Sequence, residues 1–333
     1  MASELLGTYF LQCGLLDSRI RKDLYSLGVR QDVLTVQLAS IFAEVLGMKP
    51  NKTGNTAFTP ENIRSEKWLN RYGISASITS GMVFNYLAQP GDGVSTKNLL
   101  PKVSAYDYDA IRYAYGNSDA LPSARAAFYA PEDKWDPYAQ DGFLSDDILS
   151  ASMMGIESIR KIYPRLGEWM KQLPKDQNTW KNVSDYSLKA LALYQTYLTQ
   201  MVKLVGGRSV RPVIKGVNEA AVIYVPRDQQ EKALQYLETA LFTRRPEWVH
   251  SKEVTQTGVY DIDHMMVGLA EKIAQHFIDP KVIASLVAAE STLGEKAFTA
   301  AELFAYIDRV IFEDFTPGKA AFAARRHEPG RLC

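Results

Sequence analysis

The sequence predicts a mainly α fold with a minor β component. Three observations carry this. From Ser145 onward, apolar residues recur at helical spacing through one segment after another. A single short apolar run, AAVIYV at Ala220–Val225, is bounded by turn residues and reads as a strand. The part of the chain up to Tyr115 instead alternates short helical patterns with loops rich in Gly, Pro, Asn and Thr.

Taken in order, Ser3–Leu16 reads as a short amphipathic helix, followed by Asp17-Ser18 and a basic, polar connector. Asp32 is expected to cap a helix over 33–47, in which Val33, Leu34, Val36, Leu38, Ile41, Phe42, Val45 and Leu46 recur at helical spacing. Gly47 is its natural stop. Residues 49–66 read as loop, running into one short helix over Glu61–Tyr72. Residues 73–105 are irregular, with a turn-rich AQPGDGVS at Ala88–Ser95. Turn chemistry explains those glycines better than a phosphate cradle, because no strand precedes them and no Gly-Lys-Ser/Thr follows.

Tyr106–Tyr115 resumes helical spacing, and Tyr106, Tyr108, Tyr113 and Tyr115 are expected to pack in the core. A long connection over 116–140 has a weak strand pattern around Ala126–Tyr129. Asp146–Leu173 is one helix or two, interrupted near Pro164, and Asp146-Asp147 is expected to cap its start. Asp185–Val205 has a wide apolar face ended by Gly206-Gly207. After the strand, Pro226 opens a further helix, and residues 261–277, 280–290 and 299–313 give three more. Thr316–Cys333 reads as a loosely ordered tail.

The bulk numbers exclude several classes. Of 333 residues, 46% are hydrophobic and 23% charged, enough for a sizeable core in one or two domains. Lys+Arg and Asp+Glu both number 38, so no basic excess points to nucleic acid. Cys13 and Cys333 make no disulfide framework. No apolar run is long enough for a transmembrane helix, and the first residues lack the basic start of a signal peptide.

The chemistry-bearing stretch is Leu34–Asn85. An apolar helix ends at Gly47, a loop follows, and SITSGMVFN runs over Ser77–Asn85. This is the frame of a zinc-protease helix, in which two histidines at i and i+4 share one face, a glutamate beside the first is the general base, and a glycine bend brings in a third ligand. The match lies in SIFAEVLGMKPN at Ser40–Asn51 and SITSGMVFNYLAQPGD at Ser77–Asp92. It continues in LLPKVSAYDYDAIRYAYG, in DPYAQDGFLSDDILSASMMGIESIRKIYPRL, and in VIYVPRDQQEKALQYLETALFTRRPEWV. From about residue 10 to about residue 315 the chain resembles the C-terminal two-thirds of a family of bacterial, exported, zinc-dependent metalloproteases with a metzincin-like catalytic region.

Residue by residue, the resemblance removes the chemistry. The first zinc histidine of the family falls on Ser40, the general base on Ile41, the second histidine on Glu44 and the third on Pro50. The methionine of the turn at 77–82 falls on Thr79, and the Asp-Tyr after it on Ser80-Gly81. Gly47, Asn51, Phe84-Asn85-Tyr86 and Ala88–Asp92 do match. The expectation is therefore a degenerate site with no catalytic residue, no cofactor and no metal ligand set, zinc belonging to it by resemblance only. Thr79, Phe84, Asn85 and Tyr86 are the candidate cleft residues.

The other candidates are weaker. His250, His264, His276 and His327 form no i,i+4 pair and lie far from the frame in sequence. Asp261, Asp263 and His264 look like a metal cluster by letter, but helix-start logic explains the acids. Ser40 lacks a nearby histidine to activate it as a nucleophile.

The resemblance implies a remnant of a metzincin-like lower subdomain over 1–115, a helical region over 116–315 and a tail over 316–333. Too few residues precede the zinc-helix position for the family's sheet-containing region, so the chain is expected to be a cleft-less remnant or a fragment of a longer product. The favoured reading is a non-catalytic relative acting as a binding or scaffolding module for an unknown protein or peptide partner, exported as its family is. The alternative is a fragment or divergent member of an active zinc-dependent metallopeptidase. A third reading is a plain helical domain with no ligand.

Overall fold

The structure, a computed structural model, describes residues 29–81, 84–89, 91–116, 133–171, 180–211, 222–243 and 262–312. The expected helix at Ser3–Leu16, the strand pattern at Ala126–Tyr129, Asp261, His250, His327 and the tail lie outside the described residues. Among the described residues the fold is mainly helical with a two-stranded sheet, in line with the predicted mainly α class with minor β.

Helix α1 spans Val29–Val45. It starts earlier than predicted, so Asp32 lies inside the helix and is not its cap. Apolar spacing places a helix better than it places its first residue. The stop is where it was expected. Gly47 adopts φ +87°, its N–H donates to Glu44 O at 2.9 Å, and Met48 N–H donates to Ala43 O at 3.0 Å. That paired closure satisfies carbonyls the helix would otherwise leave open.

The single helix expected over Glu61–Tyr72 is two, α2 (Pro60–Ile63) and α3 (Glu66–Tyr72). Ser65 breaks them by taking an extended conformation and accepting from Trp68 N–H. Residues 73–104 are irregular as predicted, apart from 3-10 turns at Ile78–Ser80 and Thr96–Leu99. Helix α4 (Ala105–Tyr115) starts from a capping box between Ser104 and Asp107. Its tyrosines correct an expectation. Tyr106 is buried, but Tyr108, Tyr113 and Tyr115 are exposed, because α4 leaves the body after its first turn.

Helix α5 (Ile148–Ile162) is capped by Asp147, whose carboxylate accepts from Ser150 N–H at 3.0 Å. Asp146 does not share that role. A 3-10 turn at Tyr163–Arg165 holds Pro164 and separates α5 from α6 (Leu166–Met170). Helix α7 (Trp180–Val202) follows, longer at its start than predicted. Strand β1 (Arg208–Val210) pairs antiparallel with β2 (Val222–Tyr224), Ser209 opposite Ile223. β2 was predicted; β1, three residues long, is too short to show a period. Pro226 caps α8 (Arg227–Leu237), and α9 (Ile262–Phe277), α10 (Pro280–Leu293) and α11 (Ala300–Ile307) complete the body.

α7 is the central helix. It packs on α5 and also meets α6, α8 and α9. One hydrophobic cluster runs from Ile63, Leu69 and Tyr86 in the looped part to Tyr194, Phe277 and Leu303 in the helices. Buried tyrosines end on backbone carbonyls: Tyr194 OH donates to Ala240 O at 3.1 Å and Tyr306 OH to Leu234 O at 3.0 Å. Among the described residues no helix is long and apolar enough to cross a membrane.

Candidate functional site

α1 lies over the Ile78–Ser80 turn. On the described part of the helix, Ala43 is buried and Val36, Ala39 and Ser40 are half-buried. The turn is held from two sides. Asn51 N–H donates to Thr79 O at 3.2 Å, and Thr79 Oγ1 donates to Lys49 O at 3.1 Å, tying it to the chain leaving α1. From the other side, the Asp107 carboxylate accepts from Ser77 Oγ at 2.6 Å, Ile78 N–H at 2.9 Å and Ser104 N–H at 2.8 Å. One acid thus caps α4 and fixes the turn.

The motif positions fall as follows. Ser40 is half-buried, while Ile41, Glu44 and Pro50 are exposed. Thr79 is buried, its hydroxyl in contact with Ser77 Oγ at 2.9 Å as well as with Lys49 O. The candidate cleft residues do not line an open cleft together. Asn85 is fully buried, its amide donating to Ile63 O at 2.8 Å and its Oδ1 accepting from Ala88 N–H at 3.2 Å. Tyr86 is buried, with its hydroxyl accepting from Leu144 N–H at 3.0 Å and its ring 5.1 Å from that of Tyr197. Phe84 is half-buried against the core. The matching Phe-Asn-Tyr segment is therefore a structural bolt between the loops and the helical body. A shallow depression of about 200 Å³ lies instead between the end of α1 (Leu46–Lys49) and α4 (Tyr106, Ala110, Ile111, Ala114).

A family model for Met-zincin matches residues 44–318. The chain belongs to the Met-zincin family. The match opens at Glu44 and takes in the turn, the Asn85–Tyr86 bolt and the helical body through α11; Ser40 and Ile41 stand just ahead of it. Comparison with curated proteins and with solved structures returned no match.

Within this Met-zincin fold, the residue that sequence reasoning missed is Asp107. Burial pushes its carboxyl above the usual range, while Ser77 and the Ser104 and Ile78 amides pull it back. The S-x-x-D spacing from Ser104 to Asp107 signals the local cap. Its reach to Ser77 and Ile78 has no local signature. Asp136 is a second buried acid, accepting from Ser209 Oγ at 2.6 Å and Tyr138 N–H at 2.8 Å, and burial raises it too. Both acids hold chain segments together. The matched turn after Ala88 is pinned by Arg64, which donates twice to Asp92 at 2.8 Å and holds its carboxyl below the usual range. His264 is exposed near the start of α9, and His276 is half-buried at its end. Among the described residues no group of three or more His, Cys, Asp or Glu side chains is placed to hold a metal ion.

Proposed function

We propose that the chain is a non-catalytic Met-zincin, a metalloprotease-like scaffold that serves as a binding or scaffolding module for a protein or peptide partner. By the same family resemblance it acts outside the cytoplasm. The donor set at the zinc positions carries this reading. A catalytic zinc takes three protein ligands and keeps one position open for water. Ser40 offers a hydroxyl that stays protonated at neutral pH, Ile41 has no proton acceptor, and Pro50 has no donor side chain. Glu44 alone brings a carboxylate, and it faces solvent. The Thr79 hydroxyl is already engaged by its own turn. These residues do not fit a zinc site. Loss of ligands, base and turn methionine together fits relaxed or redirected selection better than an error at one position.

Zinc stoichiometry after equilibration and desalting tests this, together with a fluorogenic-peptide assay with and without chelator. The expected outcome is no retained zinc and no chelator-sensitive turnover. Tight one-to-one zinc that Glu44→Ala abolishes overturns the reading. Chelator-sensitive cleavage favours the alternative, a divergent or partial active metallopeptidase, which rests on the family membership itself.

A further inference from the structure

A groove of about 500 Å³ lies between α7 and α9, a size that holds a small ligand. On α7 its lining follows one helix face from Ala192 through Gln195 and Thr199 to Lys203. That face is about 16 Å long at 1.5 Å per residue, the length of a short extended strand. On α9 the lining follows Met265, Gly268, Leu269 and Lys272, again one face.

Gly268 sits midway along α9, where glycine is the poorest helix former after proline. A Cβ there would meet nothing within 4 Å, so packing does not require the glycine. A glycine with open space before it lets a ligand approach the helix backbone. The polar lining is underused as well. Gln195 and Thr199 are half-buried and make no hydrogen bond among the described residues. Gln200, also on the lining, is fully buried; its Nε2 donates to Pro137 O at 2.8 Å, while its Oε1 has no partner among the described residues. A buried acceptor without a donor costs free energy that a ligand N–H can recover.

The groove has a positive end. Lys203 and Lys272 close the two rows on the same side, because His276, one turn beyond Lys272, has its Nε2 3.3 Å from Val205 O, just beyond Lys203. Lys203 Nζ donates to the neutral Gln140 amide, and Lys272 makes no ion pair among the described residues. Asp141 is the one acid on the lining, and Lys52 pairs it at 3.2 Å. The backbone of an extended peptide matches the amides and hydroxyl along the wall. Its apolar side chains match Phe143, Met265 and Leu269, and a terminal carboxylate matches the lysine end.

We infer that this groove binds the C-terminal end of a peptide, laid along α7 with its carboxylate at Lys203 and Lys272 and its backbone against Gly268. The inference deepens the binding-module reading and rests on it for the peptide nature of the partner. It uses none of the zinc positions.

The test uses the full chain with its methionine methyl groups isotopically labelled for NMR; Met265→Leu identifies the Met265 signal. The probes are two pools of N-acetylated tetrapeptides of random sequence, one ending in a carboxylate and the other in a carboxamide. The Met265 signal is expected to shift saturably with the carboxylate pool at millimolar concentration. Affinity is expected to fall several-fold with the carboxamide pool and with Lys272→Gln, and Gly268→Leu to abolish the shift. Gly268→Ala is expected to raise the denaturant midpoint, since it changes helix propensity and fills only open space. No Met265 response in the unmodified chain overturns the inference. So does equal binding of the two pools, or a response that survives Gly268→Leu. A lowered midpoint in Gly268→Ala shows that the chain itself packs the groove and also overturns it. The zinc and chelator assays decide the binding-module reading separately. Retained zinc with chelator-sensitive turnover removes that reading and leaves the Met265 response standing, whereas a zinc-free chain without a Met265 response loses the groove alone.

Discussion

His276 lies half-buried beside the Trp135 ring, the two centroids 6.4 Å apart and the planes 27° from parallel. Its Nε2 is 3.3 Å from Val205 O, where a neutral imidazole can donate. Burial pushes its pKa below the ordinary 6.5; the Val205 carbonyl and Asp279 oppose the shift, and Lys203 and Lys134 add to it. The unfolded chain therefore takes up a proton near 6.5 that the folded chain refuses. Stability from this group is complete above that pH and is lost as pH falls from there towards the lower folded value. The denaturant midpoint is expected to drop as pH falls below about 6.5, and His276→Gln to flatten that dependence while lowering stability at neutral pH. A pH profile unchanged by the substitution would sink this. From sequence, a lone histidine away from the motif reads as a surface or packed residue. Its shifted pKa was not legible there, because Trp135 and Val205 come from distant parts of the chain.

At the scale of elements, the α5–α7 contact depends on Gly155. A Cβ there would lie 2.5 Å from the Tyr197 ring, and Tyr86 backs that ring from 5.1 Å. Gly→Ala inside a helix gains about 1 kcal/mol of propensity. Forcing a methyl into a packed ring costs about 1–3 kcal/mol, more when the ring cannot move. The clash should win, with Gly155→Ala destabilising by about 1–2 kcal/mol in chemical denaturation; a stabilised variant would show that Tyr197 is free to shift. The helical period that placed α5 and α7 was legible in the sequence. The reason for a glycine at 155 was not, because the ring it admits belongs to another helix. The tyrosines of α4 teach the converse. Tyr108, Tyr113 and Tyr115 have helical spacing, yet among the described residues no element covers them and they are exposed. Tyr115 OH instead donates to Leu46 O at 3.0 Å, joining α4 to the end of α1.

For the molecule as a whole, the looped part and the helical body share one hydrophobic cluster. Backbone bonds cross the seam: Ser145 N–H donates to Asn55 O at 2.9 Å and Asp146 N–H to Phe58 O at 3.0 Å. Tyr86 adds its hydroxyl bond to Leu144 N–H and its ring against Tyr197. Because the described residues of both parts share that one cluster, near-UV and far-UV circular dichroism should report one coincident unfolding transition. Two separated transitions would instead support the division at residues 115 and 116 that the sequence suggested. Sequence reading marked Asn85 and Tyr86 as candidate cleft residues and gave no sign of this seam, because their partners Ile63 and Leu144 lie far away in the chain.

The sequence by itself determined the mainly helical class, the Gly47 stop, the break at Pro164, the β2 strand and the family resemblance. Each depends on spacing, on a backbone conformation that only a few residues tolerate, or on residue identity, and these are local properties. Tertiary structure alone decided which face of α1 meets the body, that Asp107 clamps the turn beneath it, and that Asn85 and Tyr86 bolt the loops to the helices. A helix period says that two faces differ. Which face is covered depends on partners far away in the chain.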